Sequence, residues 1–365
     1  MPQGPTRRRA DYAARTAQGE TFKVRRALSE PLVIDGALGE GGGQLLRQAL
    51  ALSAGLGRAI RIDTIRAGRK KPGLLRRHLT AVRAAARICG AEVEGDAIGS
   101  QSLVFSPGPI VAGEHHFAVG GGKSAVLLLQ TLVPPLLKAS GRSVLTVEGS
   151  THAPDSPSFE NIARTWAPLL SSMGPRVTVT LEHHGFYPAA GGRLQAVIEP
   201  APLKGLRAVE RGALKAKRAT AIVAHLDPNI GQRELATLQQ MLTWDEGALS
   251  ISKVTESAGP GNALIVEVES EHITEVFTGV GERSVRAEVV AEAVADAVRD
   301  YLAAEVPVAR HTASQLIVPM ALAGAGAICT LPLNRHARGA IDLVHLFTNL
   351  EVAVANIRGQ WHVEI

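Results

Sequence analysis

Arg87-Ile-Cys-Gly90-Ala-Glu-Val-Glu closes one stretch of the chain, and Ser172-Met-Gly174-Pro-Arg-Val-Thr-Val closes another in the same way. In both, a helical pattern runs into a glycine and leaves it as an alternating strand. A left-handed glycine at a helix C-terminus produces that sequence of states. Asn356-Ile-Arg-Gly359-Gln-Trp-His-Val-Glu-Ile reads as a third copy. Upstream of each lies a matching opening. Gly41-Gly-Gly-Gln-Leu-Leu-Arg-Gln-Ala-Leu precedes a strand at 59–65, and Gly120-Gly-Gly-Lys-Ser-Ala-Val-Leu-Leu-Leu-Gln one at 143–148. Ser314-Gln-Leu-Ile-Val-Pro-Met-Ala-Leu-Ala precedes one near 327–331. A pattern written three times implies three copies of one supersecondary unit.

The spacing then implies an insertion. Gly90 and Gly174 stand 84 positions apart, whereas Gly174 and Gly359 stand 185 apart. The excess is the size of a small domain. It falls at 204–302, where strand patterns (219–224, 263–269) alternate with helical ones (231–241, 287–302). The expectation is an α+β fold. It has three repeated α/β units, each of two helices on a four-stranded sheet, in 30–203 and 303–365. A smaller inserted α/β domain occupies 204–302. Residues 1–29, rich in arginine and without a packing pattern, read as a disordered basic tail.

Composition narrows the partners. The net charge of +5 and pI of about 9.4 suit a polyanion. No apolar run is long enough to span a bilayer, and the N-terminal stretch lacks the apolar core of a secretory signal. Cys89 and Cys329 are the only cysteines and fit no metal-ligand spacing, as expected of reduced thiols in a cytoplasmic protein.

Two segments concentrate chemistry. Ile34-Asp-Gly-Ala-Leu-Gly39-Glu40-Gly-Gly-Gly43-Gln44-Leu-Leu-Arg47 packs five glycines ahead of a helix, which lets backbone N–H groups approach a phosphate. Glu40, a carboxylate inside such a loop, suggests a metal or nucleotide contact. Ile65-Arg66-Ala-Gly-Arg69-Lys-Lys-Pro72-Gly-Leu-Leu-Arg76-Arg77-His78 carries six cations in twelve positions with no acid. Pro72 makes its first half a loop, and clustered arginines suit bidentate phosphate contact. The pairs His115-His116 and His183-His184 lack the spaced partners of a metal site. Gly120-Gly-Gly-Lys123-Ser124 echoes a phosphate loop without its leading glycine.

Together these blocks resemble the RNA 3′-terminal phosphate cyclase family from about Leu32 onward. The marks are Asp35-Gly-Ala…Gly39-Glu-Gly-Gly-Gly-Gln, Ile65-Arg-Ala-Gly-Arg…Lys71-Pro-Gly-Leu, His78-Leu-Thr-Ala-Val and His184-Gly-Phe-Tyr-Pro-Ala. Gly259-Pro-Gly-Asn262 and Pro319-Met-Ala-Leu-Ala-Gly complete the set. The resemblance implies three α+β units related to those of enolpyruvyl transferases, with one small inserted domain. It implies an ATP-dependent enzyme that uses a divalent ion, magnesium or manganese. Its substrate is RNA with a 3′-phosphate end, closed to a 2′,3′-cyclic phosphodiester through histidine–AMP and RNA–adenylate intermediates. In the family the nucleophilic histidine precedes Leu-x-Thr-Asn, and the matching position is His345, ahead of Leu346-Phe-Thr-Asn349. Glu40, Gln44, Gln130, Phe159, His311, Ser314 and Gln315 match nucleotide-site positions, with Glu40 also toward the metal. Arg47, Arg66, Arg69 and Arg76 match those expected on phosphates or RNA.

The chain departs from the family at three places. His311-Thr-Ala-Ser314 stands where Tyr-x-x-Asp is usual, and Gly120-Gly-Gly-Lys-Ser replaces a Gly-Ser-Ala-Gly-Ser type stretch. The run from Gly326 to His345 is about nine residues longer than in the family. Two other readings stay open: a non-catalytic relative acting in ribosome assembly, which would lack the histidine, and a carboxyvinyl transferase on the related fold.

Overall fold

A computed structural model describes residues 30–120 and 122–365. The expectation for the basic tail lies outside them. The first repeat runs β1 (Leu32–Asp35), α1 (Gly43–Leu56), β2 (Ile60–Asp63), α2 (Arg76–Cys89), β3 (Glu92–Glu94) and β4 (Leu103–Ser106). Its sheet order is β1-β2-β4-β3. The first pair is parallel across the helical crossover, and the others are antiparallel.

The second repeat is the same chain path. It comprises β5 (Gly113–Ala118), α3 (Ala125–Leu136), β6 (Ser143–Gly149), α4, β7 (Arg176–His183) and β8 (Gly192–Glu199), in the order β5-β6-β8-β7. Here α4 is composite: Phe159–Asn161, a π-turn at Ile162–Trp166, then Ala167–Ser172.

The third repeat opens with β9 (Leu206–Ala208) and is then interrupted by β10 (Leu214–Ala224), α5 (Asn229–Leu242), β11 (Leu249–Val254), β12 (Gly261–Ser270), β13 (Thr274–Val280) and α6 (Ala287–Ala304). It resumes with α7 (Arg310–Ala323), β14 (Gly326–Thr330), α8 (Arg335–Phe347), β15 (Ala353–Ile357) and β16 (Gln360–Glu364). Its sheet, β9-β14-β16-β15, repeats the topology of the other two. The interrupting strands form a separate sheet, β11-β10-β12-β13. Residues 206–208, inside the 204–302 span of the spacing argument, belong by their pairing with β14 to the third repeat.

Gly359 overturns one reading. Arg358 and Gly359 both have positive φ, 54° and 89°, between antiparallel β15 and β16. That is the geometry of a two-residue hairpin turn, not of a helix end. The helix equivalent to α2 is α8, which stops at Phe347 without a left-handed glycine. Gly90, in contrast, does end α2, at φ 56° with its N–H on the Ala86 carbonyl.

The first helices of the three repeats, α1, α3 and α7, pack pairwise around one centre. Their sequences explain why. Each is apolar on nearly every side, and ten of the twelve residues of α3 are buried. One core cluster joins Leu50, Leu129 and Ile317 with residues of all three sheets, and the insert has its own around Tyr301, Leu238 and Leu264. Side chains of α4 hold the edge strand of the insert. Asn161 Nδ2 donates to the Val276 carbonyl (3.1 Å) and Thr165 Oγ1 to that of Thr274 (2.8 Å). From the insert, Glu275 accepts from the Ala309 N–H (2.7 Å) and Thr312 Oγ1 (2.9 Å) at the start of α7.

Candidate active site

The glycine loop ends at α1 because Gly43 must be small there. A Cβ on Gly43 would lie 2.7 Å from His78 Nε2 and 3.2 Å from an Arg47 nitrogen. His78 is buried in the first turn of α2, where its Nδ1 accepts the Leu75 N–H (3.1 Å). That bond assigns the proton of the neutral ring to Nε2. Burial, followed by Arg77, Arg66 and Arg47, pushes the His78 pKa down to about 3, so the ring adds no charge among these cations. Burial, then Arg77, lowers Arg47 to about 10, which leaves it protonated at neutral pH.

Before this helix start lies a cavity of about 580 Å³, walled by the first repeat, the start of α3, the 153–155 turn, Tyr187, Glu282 and the start of α8. Arg47, Arg69, Arg77, Lys123 and Arg335 line it against the carboxylates of Glu40, Asp155 and Glu282. The N-termini of α1 and α3 both open onto it, adding positive backbone potential. Arg69 donates to the Glu40 carbonyl (2.8 Å) and lies 3.7 Å from its carboxylate.

On the α8 side stands His336. Asn334 caps the helix through the Ala337 N–H (2.8 Å), which places Arg335 and His336 in its first turn. His336 Nε2 lies 3.8 Å from Glu40 Oε2. His345 is elsewhere. It is solvent-exposed and does not line the cavity. Nine residues of α-helix are about two and a half turns, which puts His345 on the opposite face of α8 from His336. Of the two histidines of this helix, His336 lines the cavity and His345, the position matched by the family motif, does not.

The other expected residues divide. Glu40, Gln44, Arg47 and Arg69 line the cavity. Arg66 does not: it is buried, with its guanidinium donating to the carbonyls of Lys71 (2.6 Å) and Gly73 (3.1 Å), and it shapes the basic loop instead. Arg76 and Arg77 are both exposed, and of the two only Arg77 lines the cavity. His311 is lowered in pKa chiefly by burial and then by its charged neighbour Arg310, and it lies close to His336. Ser314 is buried, its hydroxyl on the His311 carbonyl (2.7 Å), and its own carbonyl accepts from Gln48, a cavity residue (3.4 Å). Gln130, Phe159 and Gln315 do not line the cavity. Phe159 packs on the core. Gln130 Nε2 and Gln315 Oε1, on the neighbouring helices α3 and α7, are buried without partners among the described residues.

For a divalent ion the donor set is sparse. Among the described residues no three His, Cys, Asp or Glu side chains cluster as a metal cage. A single wall carboxylate such as Glu40 fits an ion carried mainly by polyphosphate oxygens.

A three-repeat α+β scaffold with arginines, helix N-termini and a histidine converging on one cavity has the equipment of a phosphate-handling enzyme. The chain belongs to the RNA 3′-terminal phosphate cyclase family, whose sequence profile matches residues 38–354. It is 46% identical over 317 residues to the RNA 3′-terminal phosphate cyclase of Koribacter versatilis, covering 87% of this chain and 89% of that one. To the Salmonella paratyphi C protein of the same name it is 45% identical over 335 residues, 92% of this chain and 97% of the other. The Ralstonia nicotianae protein gives 46% over 323 residues, 88% and 92%. The enolpyruvyl transferase NikO from Streptomyces tendae superposes with a TM-score of 0.34 at 12% identity, over 92% of this chain and 48% of that one. That likeness is too weak to bear on fold or function. No helix among the described residues is long and apolar enough to cross a membrane.

Proposed function

We propose that this protein converts an RNA 3′-terminal phosphate to a 2′,3′-cyclic phosphodiester at the expense of ATP, with His336 as the nucleophile. The observation that carries the assignment is the place of His336: on the cavity wall, 3.8 Å from Glu40, among arginines and helix N-termini. A neutral imidazole is a competent nucleophile near pH 7, and its phosphorus–nitrogen adduct is a good donor.

Three displacements complete the reaction. A ring nitrogen of His336 attacks the α-phosphorus of ATP. The bond to pyrophosphate breaks, and the imidazole gives up its proton. An oxygen of the RNA 3′-phosphate then attacks the same phosphorus, breaking the bond to histidine and leaving RNA capped by AMP. Finally the vicinal 2′-hydroxyl attacks the RNA phosphorus, loses its proton, and expels AMP as the ring closes.

Arg47, Arg69, Arg77 and the α1 N-terminus supply the positive field in which phosphate charge is held. A divalent ion, magnesium or manganese, would neutralise triphosphate charge beside Glu40. Two buried, unbridged cysteines fit a cytoplasmic location.

The test is incubation with α-³²P-ATP and a divalent ion, followed by denaturing electrophoresis, then a chase with 3′-phosphorylated RNA. Acid-labile label on the protein that the RNA discharges as AMP, with a cyclic end formed, is the expected result. Absence of label on folded protein would sink the assignment.

A further inference from the structure

The cavity has a second kind of wall that the steps above do not use. The first repeat and α8 supply histidine, carboxylate and arginines. The second repeat supplies an aromatic ring and a lysine. Among the described residues, Tyr187 is the one aromatic residue besides His336 that lines the cavity, and it is 43% exposed. Its neighbour Phe186 is 1% exposed, driven into the joint between the second repeat and the insert against Ile222, Ala263 and Ile265.

The turn that presents Tyr187 is anchored. The Tyr187 N–H donates to the His152 carbonyl (3.0 Å). His152 is fully buried, with Nε2 on Glu160 (2.9 Å), Nδ1 on Thr151 Oγ1 (2.9 Å), and its ring stacked on Phe186 at 5.1 Å. Thr151 Oγ1 in turn accepts the Gly185 N–H (3.0 Å). The loop before α3 is pressed on the same turn. Gly122 has φ 71°, and a Cβ there would meet the Pro188 carbonyl oxygen at 2.3 Å. This contact brings Lys123 Nζ to 6.0 Å from the Tyr187 ring centre.

We propose that this wall, with Tyr187 as stacking platform and Lys123 as phosphate clamp, seats the terminal nucleoside of the RNA substrate. The inference rests on the function proposed above, since the RNA phosphate must meet the adenylated histidine inside this cavity. An exposed ring beside a cation is how proteins grip single-stranded nucleic acid without reading sequence. A ring left half in solvent suits a polymer whose chain continues outside better than a nucleotide enclosed whole. Because the turn is held in place beforehand, little ordering is needed on binding.

The experiment is a double-mutant cycle between ring and base. Wild type, Tyr187→Ala and Tyr187→Phe are assayed with a short 3′-phosphorylated RNA and with the same RNA lacking its terminal base. KM is read from cyclisation and Kd from anisotropy without ATP, and the ATP KM for self-adenylation is followed beside them. Tyr187→Ala should raise the RNA KM and Kd about tenfold, and raise the ATP KM far less. Removing the base should weaken wild type and Tyr187→Phe by a similar factor and Tyr187→Ala hardly at all. Equal sensitivity to base removal in all three, or an ATP KM that rises as much as the RNA KM, overturns the proposal; the second would give the ring to adenine. Absence of self-adenylation in wild type would instead count against the preceding assignment, and the anisotropy cycle still decides this one.

Discussion

His336 and His345 stand on one helix, nine positions apart, and meet different surroundings. His336 lies in the first turn of α8, beside Glu40, facing a cationic cavity. His345 lies in the last turn among solvent-facing residues, sharing its side of the helix with Arg338 and Asp342. His345 has the more persuasive local sequence, Leu-Phe-Thr-Asn after it, and His336 has the neighbours. The difference teaches that a histidine's surroundings are set by what converges on it in space, and a short motif in the sequence does not specify that company.

The sharpest way to break the comparison is to remove each ring. His336→Ala should abolish self-adenylation, by about a thousandfold or more, as loss of a covalent nucleophile does. His345→Ala should stay within about twofold of wild type. Labelling with α-³²P-ATP measures both, and the reverse pattern would restore His345.

A second test acts on the scaffold that brings the first repeat to His336. Gly43→Ala puts a methyl against His78 Nε2 and Arg47. It should destabilise the protein by about 1–3 kcal/mol in urea unfolding. The ATP KM should rise with it, because the start of α1 is displaced.

Charge sharpens the contrast further. Arg69→Ala and Arg335→Ala, on the cavity, should each raise the ATP KM about tenfold. Arg338→Ala, on the His345 face, should leave it within about twofold. Equal effects from Arg335 and Arg338 would mean that only the net charge of α8 matters.

The smallest effect concerns a third histidine environment, the buried one. His78 has its folded pKa near 3, below the usual 6.5. The unfolded chain therefore takes up the proton first as the medium acidifies. The stability owed to the neutral ring is complete above about pH 6.5 and is lost progressively as pH falls toward 3. His78→Asn should flatten urea-unfolding stability between pH 6.5 and 4, at a cost of about 1 kcal/mol at pH 7. An unchanged slope would show that other groups set the acid limb.

Much of the architecture was legible in the chain. The apolar helices after Gly43 and Ser124 and the left-handed stop at Gly90 are local events, and local patterns report them. The insertion was inferred from a spacing that ended on Gly359, and the inference survives because the equivalent helix end, at Phe347, lies only a few turns of chain earlier. Gly359 misled because a positive-φ glycine serves a hairpin as well as a helix end, and only the pairing of β15 with β16 separates the two. Arg66 and Arg76 fall outside the cavity for a related reason. A cation count finds the basic loop, but it does not show which guanidinium turns inward to hold the loop together and which reaches the cavity.

The sequence by itself determined the repeat, the glycine loop that can approach a phosphate, and the cluster of arginines after β2, because each is written within a few turns of chain. The tertiary structure alone decided which histidine faces the cavity, that Arg77 joins Arg69 there, and that the half-exposed ring of Tyr187 lies on the same cavity. Those choices depend on the phase of α8 and on contacts between segments some 300 positions apart, such as Glu40 with His336. Nothing in a local pattern records the angle at which two distant helices meet.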